Sequence, residues 1–436
     1  MKNILIIGFY GVVKEEDMKF VFGPNAIRIP FKKRKSFIFK AKWPEDWTAN
    51  KYVDISEKEL LSSYHFFIKT ISRFSIYSGW DLDSIDVHFY KVFIHAFTYL
   101  KKNNIKIVIF QDPPHTAWEV VIYSLSKIHG VKTIICRQSP LFNAFFAMSE
   151  LGDSRYYISS DKKYNLPNDW LIYNDNKSDW FYMKNIKIEE NIYYRYAFNV
   201  FISIYKGLIL RKPYYFKPFK SLINDIGLFF EFKKERKNST LTVEEMPADF
   251  VYVPLHLQPE MTTSALGGKY YNQLFMVYQL RTILPKEVPI VIKENPKQWV
   301  NGRGFGFYSS IRKIKNVYHA DIKEDSVDLI HKSICTATVT GTAGWETLKI
   351  GKPVIYFGSP WWSQIYGAFK EEKNVYKKVK EFIPNQDKFR QSVSLLSNKL
   401  FQGSVINSYR YQLPELSYEK NIQLLESSFK SVLKSI

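Results

Sequence analysis

The chain of 436 residues has two cysteines, Cys136 and Cys335. That scarcity excludes a disulfide framework and a thiolate metal centre. Each closes an apolar, strand-like run, so both are expected as buried free thiols in a reducing compartment. No uninterrupted apolar run approaches about 18 residues, so no transmembrane helix is expected. The opening MKNILIIGFYG is too short an apolar run for a signal peptide and reads as a first β-strand. The chain is therefore expected to be cytoplasmic. It has no GxxxxGK[ST] loop and no GxGxxG after a strand, which excludes both standard phosphate-binding fingerprints. It also lacks an RNP signature, zinc-finger spacing and a basic zipper, so nucleic acid is not the expected partner. Internal repeats and low-complexity tracts are absent too.

Acidic residues are in deficit: 42 Asp and Glu face 62 Lys and Arg, a net charge of +20. Such a surplus attracts an anionic surface or substrate. It concentrates in residues 206–237, where Lys206, Arg211, Lys212, Lys217, Lys220, Lys233, Lys234, Arg236 and Lys237 interleave with Tyr214, Tyr215, Phe216, Phe219, Phe229 and Phe230. Basic residues beside aromatic rings suit an anionic membrane face. The plain alternative is a solvated helical face over a packed core.

At this length two domains of roughly 200 residues are expected. The first half alternates strands (Ile4–Ile7, Ile105–Phe110, Val131–Cys136) with helices over 56–77, 84–101 and 116–129, the first capped by Ser56. Polar residues 231–248 read as an interdomain linker. A second alternation follows, with strands over 250–254, 288–293 and 317–319 and helices over 270–283 and 325–333. The tail from Ser417 sets Tyr418, Ile422, Leu425, Phe429, Val432 and Ile436 on one helical face that packs on the body. The expected class is α/β, with two Rossmann-like doubly wound domains facing a central cleft. The boundaries are 1–240, 241–415 and a C-terminal helix 416–436, and ligands are expected at the carboxyl ends of the strands.

Three strand ends of the second half carry chemistry. Residues 336–358 (TATVTGTAGWETLKIGKPVIYFG) form a strand–glycine turn–helix–strand unit whose Thr340, Gly341, Thr342 and Gly344 could bring backbone N–H groups to an anion. Residues 251–263 supply His256, Gln258, Glu260, Thr262 and Thr263. Residues 290–299 supply Lys293, Glu294 and Asn295. A helix N-terminus contributes at most about 2 kcal/mol, so a cation such as Lys293 or Arg303 would have to share in stabilising a departing phosphate. In the first half Asp112, His115 and Glu119 follow a strand directly. His115 suits a general base and Asp112 or Glu119 a nucleophile or base, although Thr116 and Glu119 also have the spacing of a helix capping box. Asp81 and Asp83 have the spacing of a metal-binding Asp-x-Asp but sit in a helix-capping turn, so no metal is expected.

Taken together, Pro114-His115, Pro254-Leu255 with Gln258-Pro259-Glu260, Lys293-Glu294-Asn295-Pro296, and Thr340 to Glu346 followed by Gly351-Lys352-Pro353 and Phe357-Gly358 resemble the bacterial capsule polysaccharide biosynthesis family. That family includes transferases of Kdo and related ulosonic acids, and the match covers roughly residues 105–365. The resemblance implies a GT-B glycosyltransferase that works without a metal or cofactor. Its implied partners are a CMP-activated sugar, held by the second domain, and a surface glycan or lipid-linked glycan acceptor, held mainly by the first. By that analogy Lys293, Asn295 and the Thr340–Gly344 loop hold the nucleotide, Glu346 contacts ribose hydroxyls, and Gln258 and Glu260 lie near the donor sugar. Asn295 stands where many CMP-sugar transferases carry histidine. The donor therefore stays open between Kdo and a nonulosonic acid such as pseudaminic acid. Alternatives are a GT-B transferase using a nucleotide-diphosphate sugar and a non-catalytic, glycan-binding capsule-assembly protein.

Overall fold

The computed structural model describes residues 3–29, 55–72, 80–174, 219–300 and 302–436, with isolated positions at 77, 198, 201, 202, 205 and 209. Of the basic aromatic stretch 206–237, residues 206–208 and 210–218 and the side chains at 219–225 lie outside the described residues. In chain order the strands are β1 (Asn3–Ile7), β2 (Ala26–Arg28), β3 (Ile105–Phe110), β4 (Lys132–Gln138), β5 (Ala144–Met148), β6 (Val251–Pro254), β7 (Ile290–Lys293), β8 (Val317–His319), β9 (Cys335–Thr338), β10 (Val354–Tyr356), β11 (Ala368–Lys370) and β12 (Leu400–Gln402). They form two six-stranded sheets in two compact units, the pair of doubly wound α/β units expected of a GT-B chain.

The first unit comprises Met1–Ser72, Trp80–Asn165 and Leu395–Ile436. Its sheet runs β12-β5-β4-β3-β1-β2, parallel from β4 to β2 and antiparallel at β5 and β12. β3 (IKIVIF) is buried at all positions but one, the near-continuous apolar run of a strand covered on both faces. The helix Glu57–Ile71 starts where Ser56 and Glu59 close a capping box, and Leu82–Lys102 starts where the Asp81 carboxylate accepts from Ser84 N–H.

The C-terminal helix Tyr418–Lys434 belongs to this unit. Ile422, Leu425, Phe429 and Val432 enter the same core as Ile4, Ile6, Phe9, Phe22 and Phe145. The chain thus returns to its first unit at Leu395, and the expected second-domain end at 415 moves back to Ser394.

The second unit contains Leu166–Ser394, so the expected boundary at 240 moves as well. Residues 231–238, read as linker, are the last turns of the helix Phe219–Asn238. Phe232 is buried in the core with Val253, Ile292 and Tyr308. Glu235 is buried between Arg312 Nε and His319 Nδ1, each 2.7 Å away. Burial raises the pKa of this carboxyl, but His319 and Arg312 outweigh burial and hold it below the usual range. The polar composition that suggests a linker is a solvated helix face plus one internal ion cluster. No helix among the described residues is long and apolar enough to cross a membrane.

Candidate functional site

All strands of the second sheet are parallel, in the order β8-β7-β6-β9-β10-β11. Numbered from β6 this is 3-2-1-4-5-6, the doubly wound order whose winding reverses between β6 and β9. Ligands of such sheets bind outside the carboxyl ends of the strands at that reversal. Here the carboxyl end of β6 leads into His256–Glu260, that of β9 into Thr340–Gly344, and that of β7 into Glu294–Asn295. The three polar strand ends read from sequence are therefore neighbours on one rim.

His256 joins the two sides of the reversal. Its Nε2 accepts from Thr340 N–H at 3.3 Å and lies 3.0 Å from Thr338 Oγ1. Thr338 Oγ1 in turn accepts from Gly341 N–H at 3.3 Å, which leaves its hydroxyl hydrogen for the imidazole. Two donors converge on Nε2, so the assigned tautomer carries its hydrogen on Nδ1, 3.8 Å from Glu260 Oε2. The His256 main chain is gripped as well. Its N–H donates to Gln273 Oε1 at 2.7 Å and its carbonyl accepts from Arg303 at 2.8 Å. The ring is buried, and it fixes the turn that opens the helix Thr342–Lys349.

The glycines of that turn face protein. A Cβ on Gly341 would lie 2.8 Å from Thr338 Oγ1, and one on Gly344 would lie 2.2 Å from Trp362 Cζ2. Trp362 Nε1 also donates to the Gly341 carbonyl at 3.2 Å. Close packing of the turn against Trp362 and His256 thus accounts for both glycines. Thr340 is buried, with Oγ1 3.5 Å from the Thr262 carbonyl. Thr342 opens the helix, half-buried, and Glu346 lies one turn in, with its charge felt by Lys293.

Of the two expected cations, Arg303 is committed internally. Its Nε and Nη2 meet the two Glu294 oxygens at 3.1 and 2.6 Å, its side chain is 2% exposed, and its guanidinium lies over the Phe307 ring. Glu294 also accepts from Tyr308 at 2.7 Å and from Asn295 N–H at 2.6 Å. Burial lowers the Arg303 pKa, but Glu294 outweighs it and the net shift is upward.

Lys293 is buried, and its Nζ donates to Ser326 Oγ at 3.1 Å. Burial lowers its pKa, against the opposing pull of Asp325, Glu324, Asp321 and Glu346. Of these two cations, Arg303 has the bidentate carboxylate partner, and among the described residues Lys293 pairs with no carboxylate within 4 Å. Asn295 Oδ1 accepts from Lys297 N–H at 2.9 Å, which leaves the amide nitrogen to donate to a ligand. Gln258 braces its own turn, donating to Thr263 Oγ1 at 2.6 Å, and its N–H and carbonyl are held by the buried Gln298. Glu260 is an accessible carboxylate of the rim, its side chain 40% exposed.

The other sequence candidates lie in the first unit, at the carboxyl end of β3. Glu119 Oε2 accepts from His115 N–H at 3.2 Å and Thr116 N–H at 3.1 Å, so this carboxylate is the helix cap its spacing foretold. His115 Nδ1 lies 2.9 Å from the Pro113 carbonyl, which can only accept. Nδ1 therefore carries a hydrogen, and in the neutral ring that tautomer leaves the Nε2 lone pair for a general base. Asp112 is half-buried near Cys136, whose thiol is pushed well above its usual pKa by burial first and by that charge second.

Sequence reasoning undervalued His256 as one polar residue of its segment, and passed over Thr338, Gln298 and Trp362. Only His256, two residues beyond β6, had a visible signal. Among the described residues no group of three His, Cys, Asp or Glu side chains is placed to hold a metal ion.

A scan of protein-family models and a search of curated proteins each gave no match. The chain is similar to several solved structures. One is Thermosulfurimonas dismutans KpsC, a beta Kdo 2,7 transferase, at 12% identity over 80% of this chain and 97% of that one, with a TM-score of 0.34. A second is the Methanocaldococcus jannaschii UDP-GlcNAc 2-epimerase in complex with UDP-GlcNAc and UDP, at 10% identity over 96% and 100% of the two chains, TM-score 0.23. A third is the wall teichoic acid polymerase TagF, at 13% identity over 78% and 86%, TM-score 0.21.

Proposed function

We propose that this chain is a glycosyltransferase that moves an ulosonic acid, Kdo or a nonulosonic acid such as pseudaminic acid, from a CMP-activated donor to a surface glycan or its lipid-linked precursor. The observation that carries the reading is the rim of the 3-2-1-4-5-6 sheet, where His256 pins the Thr340–Gly341 turn at the winding reversal beside Lys293 and Glu346. The choice of CMP and of an ulosonic acid rests on the motif set around Gln258-Pro259-Glu260 and Lys293-Glu294-Asn295-Pro296.

In this reading the nucleotide phosphate lies at the start of the helix Thr342–Lys349, balanced by Lys293 and the Asn295 amide, with Glu346 accepting from the ribose hydroxyls. The acceptor hydroxyl oxygen forms the new bond to the anomeric carbon. The bond from that carbon to the phosphate oxygen breaks, and its electron pair leaves with CMP. The hydroxyl proton goes to a general base, for which His115 is the candidate offered by the first unit, and Glu260 lies beside the donor sugar. The transfer uses no metal, and the enzyme works in the cytoplasm against the inner membrane face.

Thermal shift of the full chain with CMP, UDP and GDP tests the reading. CMP raises Tm, and Lys293→Ala and Glu346→Ala lose that rise while the unliganded protein stays folded. Glu260→Ala keeps the rise and loses transfer. A rise with UDP or GDP alone would move the assignment to a nucleotide-diphosphate sugar. No rise with any nucleotide, together with retained glycan binding, would make it a non-catalytic assembly protein.

A further inference from the structure

The helix Phe219–Asn238 buries one face, with Leu228, Phe232 and Glu235 turned inward. Its opposite face carries two apolar side chains followed by three lysines. Ile226 is 57% exposed and Phe230 62%, and Lys233, Lys234 and Lys237 are exposed beyond them. At 3.6 residues per turn these five positions fall within an arc of about 100° and span about 16 Å along the axis. That arc contains no acidic residue.

A second segment adds to this face. Phe305 is 70% exposed, and its ring lies against Gly227, where a Cβ would come within 3.0 Å of it. The turn that displays it is fastened to the helix. The Glu231 carboxylate accepts from Gly306 N–H at 2.8 Å and Ser309 N–H at 3.0 Å, which also commits that acidic side chain to a cap. Gly306, at φ +83, supplies the left-handed residue that lets the turn project the ring. Two phenylalanines and an isoleucine are thus held outward on a braced surface, with a row of ammonium groups one to two turns further along.

We propose that this face docks on an anionic lipid bilayer, with Phe230, Phe305 and Ile226 entering the headgroup–acyl boundary and Lys233, Lys234 and Lys237 meeting the phosphates. The proposal rests on the membrane-face placement made above and gives it a defined surface. Apolar tips beside lysines, with no acidic residue on the arc, match a surface of diffuse negative charge. A lipid-linked acceptor presented at that surface would then reach the enzyme in two dimensions.

Co-sedimentation of the full chain with vesicles tests this. Binding is expected to equimolar phosphatidylglycerol and phosphatidylcholine, weaker to phosphatidylcholine alone, and reduced by salt. The triple variant Lys233→Glu, Lys234→Glu, Lys237→Glu and the double variant Phe230→Ser, Phe305→Ser should each lower binding about ten-fold or more. Both should keep the nucleotide-induced thermal shift of the parent protein, which separates failure of this surface from failure of the proposed activity. Three outcomes would overturn the proposal: no binding to the anionic vesicles, variants that bind like the parent protein, or variants that only convert an oligomer to a monomer.

Discussion

Gly344 and Trp362 are in direct contact. A Cβ built on Gly344 would lie 2.2, 2.5 and 2.9 Å from three atoms of the indole, and Trp362 is fully buried. Gly344→Ala must therefore displace either the helix Thr342–Lys349 or the indole. Overpacking of this kind costs about 1–3 kcal/mol. Chemical denaturation should show that loss, and pairing Gly344→Ala with Trp362→Phe should recover part of it. Full stability in the single variant would return the glycine to the anion-approach role read from sequence.

Arg303 and Glu294 form one buried, bidentate unit that also holds the His256 carbonyl. Removing one partner leaves an uncompensated buried charge, at a cost of about 3–5 kcal/mol. Glu294→Gln and Arg303→Met are each expected to lower stability by that order, and the double variant Glu294→Met, Arg303→Met should regain most of it. An Arg303→Met protein of normal stability that had lost nucleotide binding would instead make Arg303 the phosphate cation.

Phe429 ties the C-terminal helix to the first unit, with ring centroids 4.7 Å from Phe22, 5.6 Å from Phe145 and 5.8 Å from Phe9. Phe429→Ala should destabilise by about 3–5 kcal/mol. Proteolysis of the variant should release the first unit's segments, including the N-terminal strand, before the second unit is cut. Cleavage of the second unit first would contradict the assignment of the tail.

Lys69 carries a pH signature. Burial pushes its pKa down to about 8 from 10.5, and its ammonium lies 4.8 Å from the Phe66 ring centroid. Below about pH 8 both folded and unfolded chains hold the proton, and the folded protein bears the net cost of burying the ammonium. Between about 8 and 10.5 the unfolded chain binds more protons, so this group makes stability rise with pH. Lys69→Met should stabilise the protein at pH 7 by up to about 3 kcal/mol, less the lost cation–π contact. The difference from the parent protein should shrink toward pH 10.5. A constant difference across that window would remove Lys69 as its cause.

Much of the fold was legible because its signals are local. The helices starting at Glu57, Leu82 and Ala117 announce themselves through Ser56, Asp81 and the Thr116–Glu119 box. Buried parallel strands such as β3 read as apolar runs. The unit boundaries were not legible. Charged residues on the solvent side of the helix Phe219–Asn238 look like a linker until Phe232 and Glu235 are seen inside. Nothing in the local sequence of the tail names the sheet it covers.

By itself the sequence determined that two α/β windings are present, that no local run is apolar enough to span a bilayer, and that three polar segments follow strands of the second winding. Those properties depend on periodicity, caps and turn residues within a few positions of each other. Tertiary structure decided which strands are neighbours, and so that His256 meets Thr338 and Thr340 across the winding reversal. It also decided that Arg303 is neutralised by Glu294, that Gly344 gives way to Trp362, and that Phe305 joins the exposed face of a helix some 75 residues earlier. Partners of this kind are fixed by long-range packing and by the requirement that buried polar groups be satisfied, and neither leaves a mark at the residue itself.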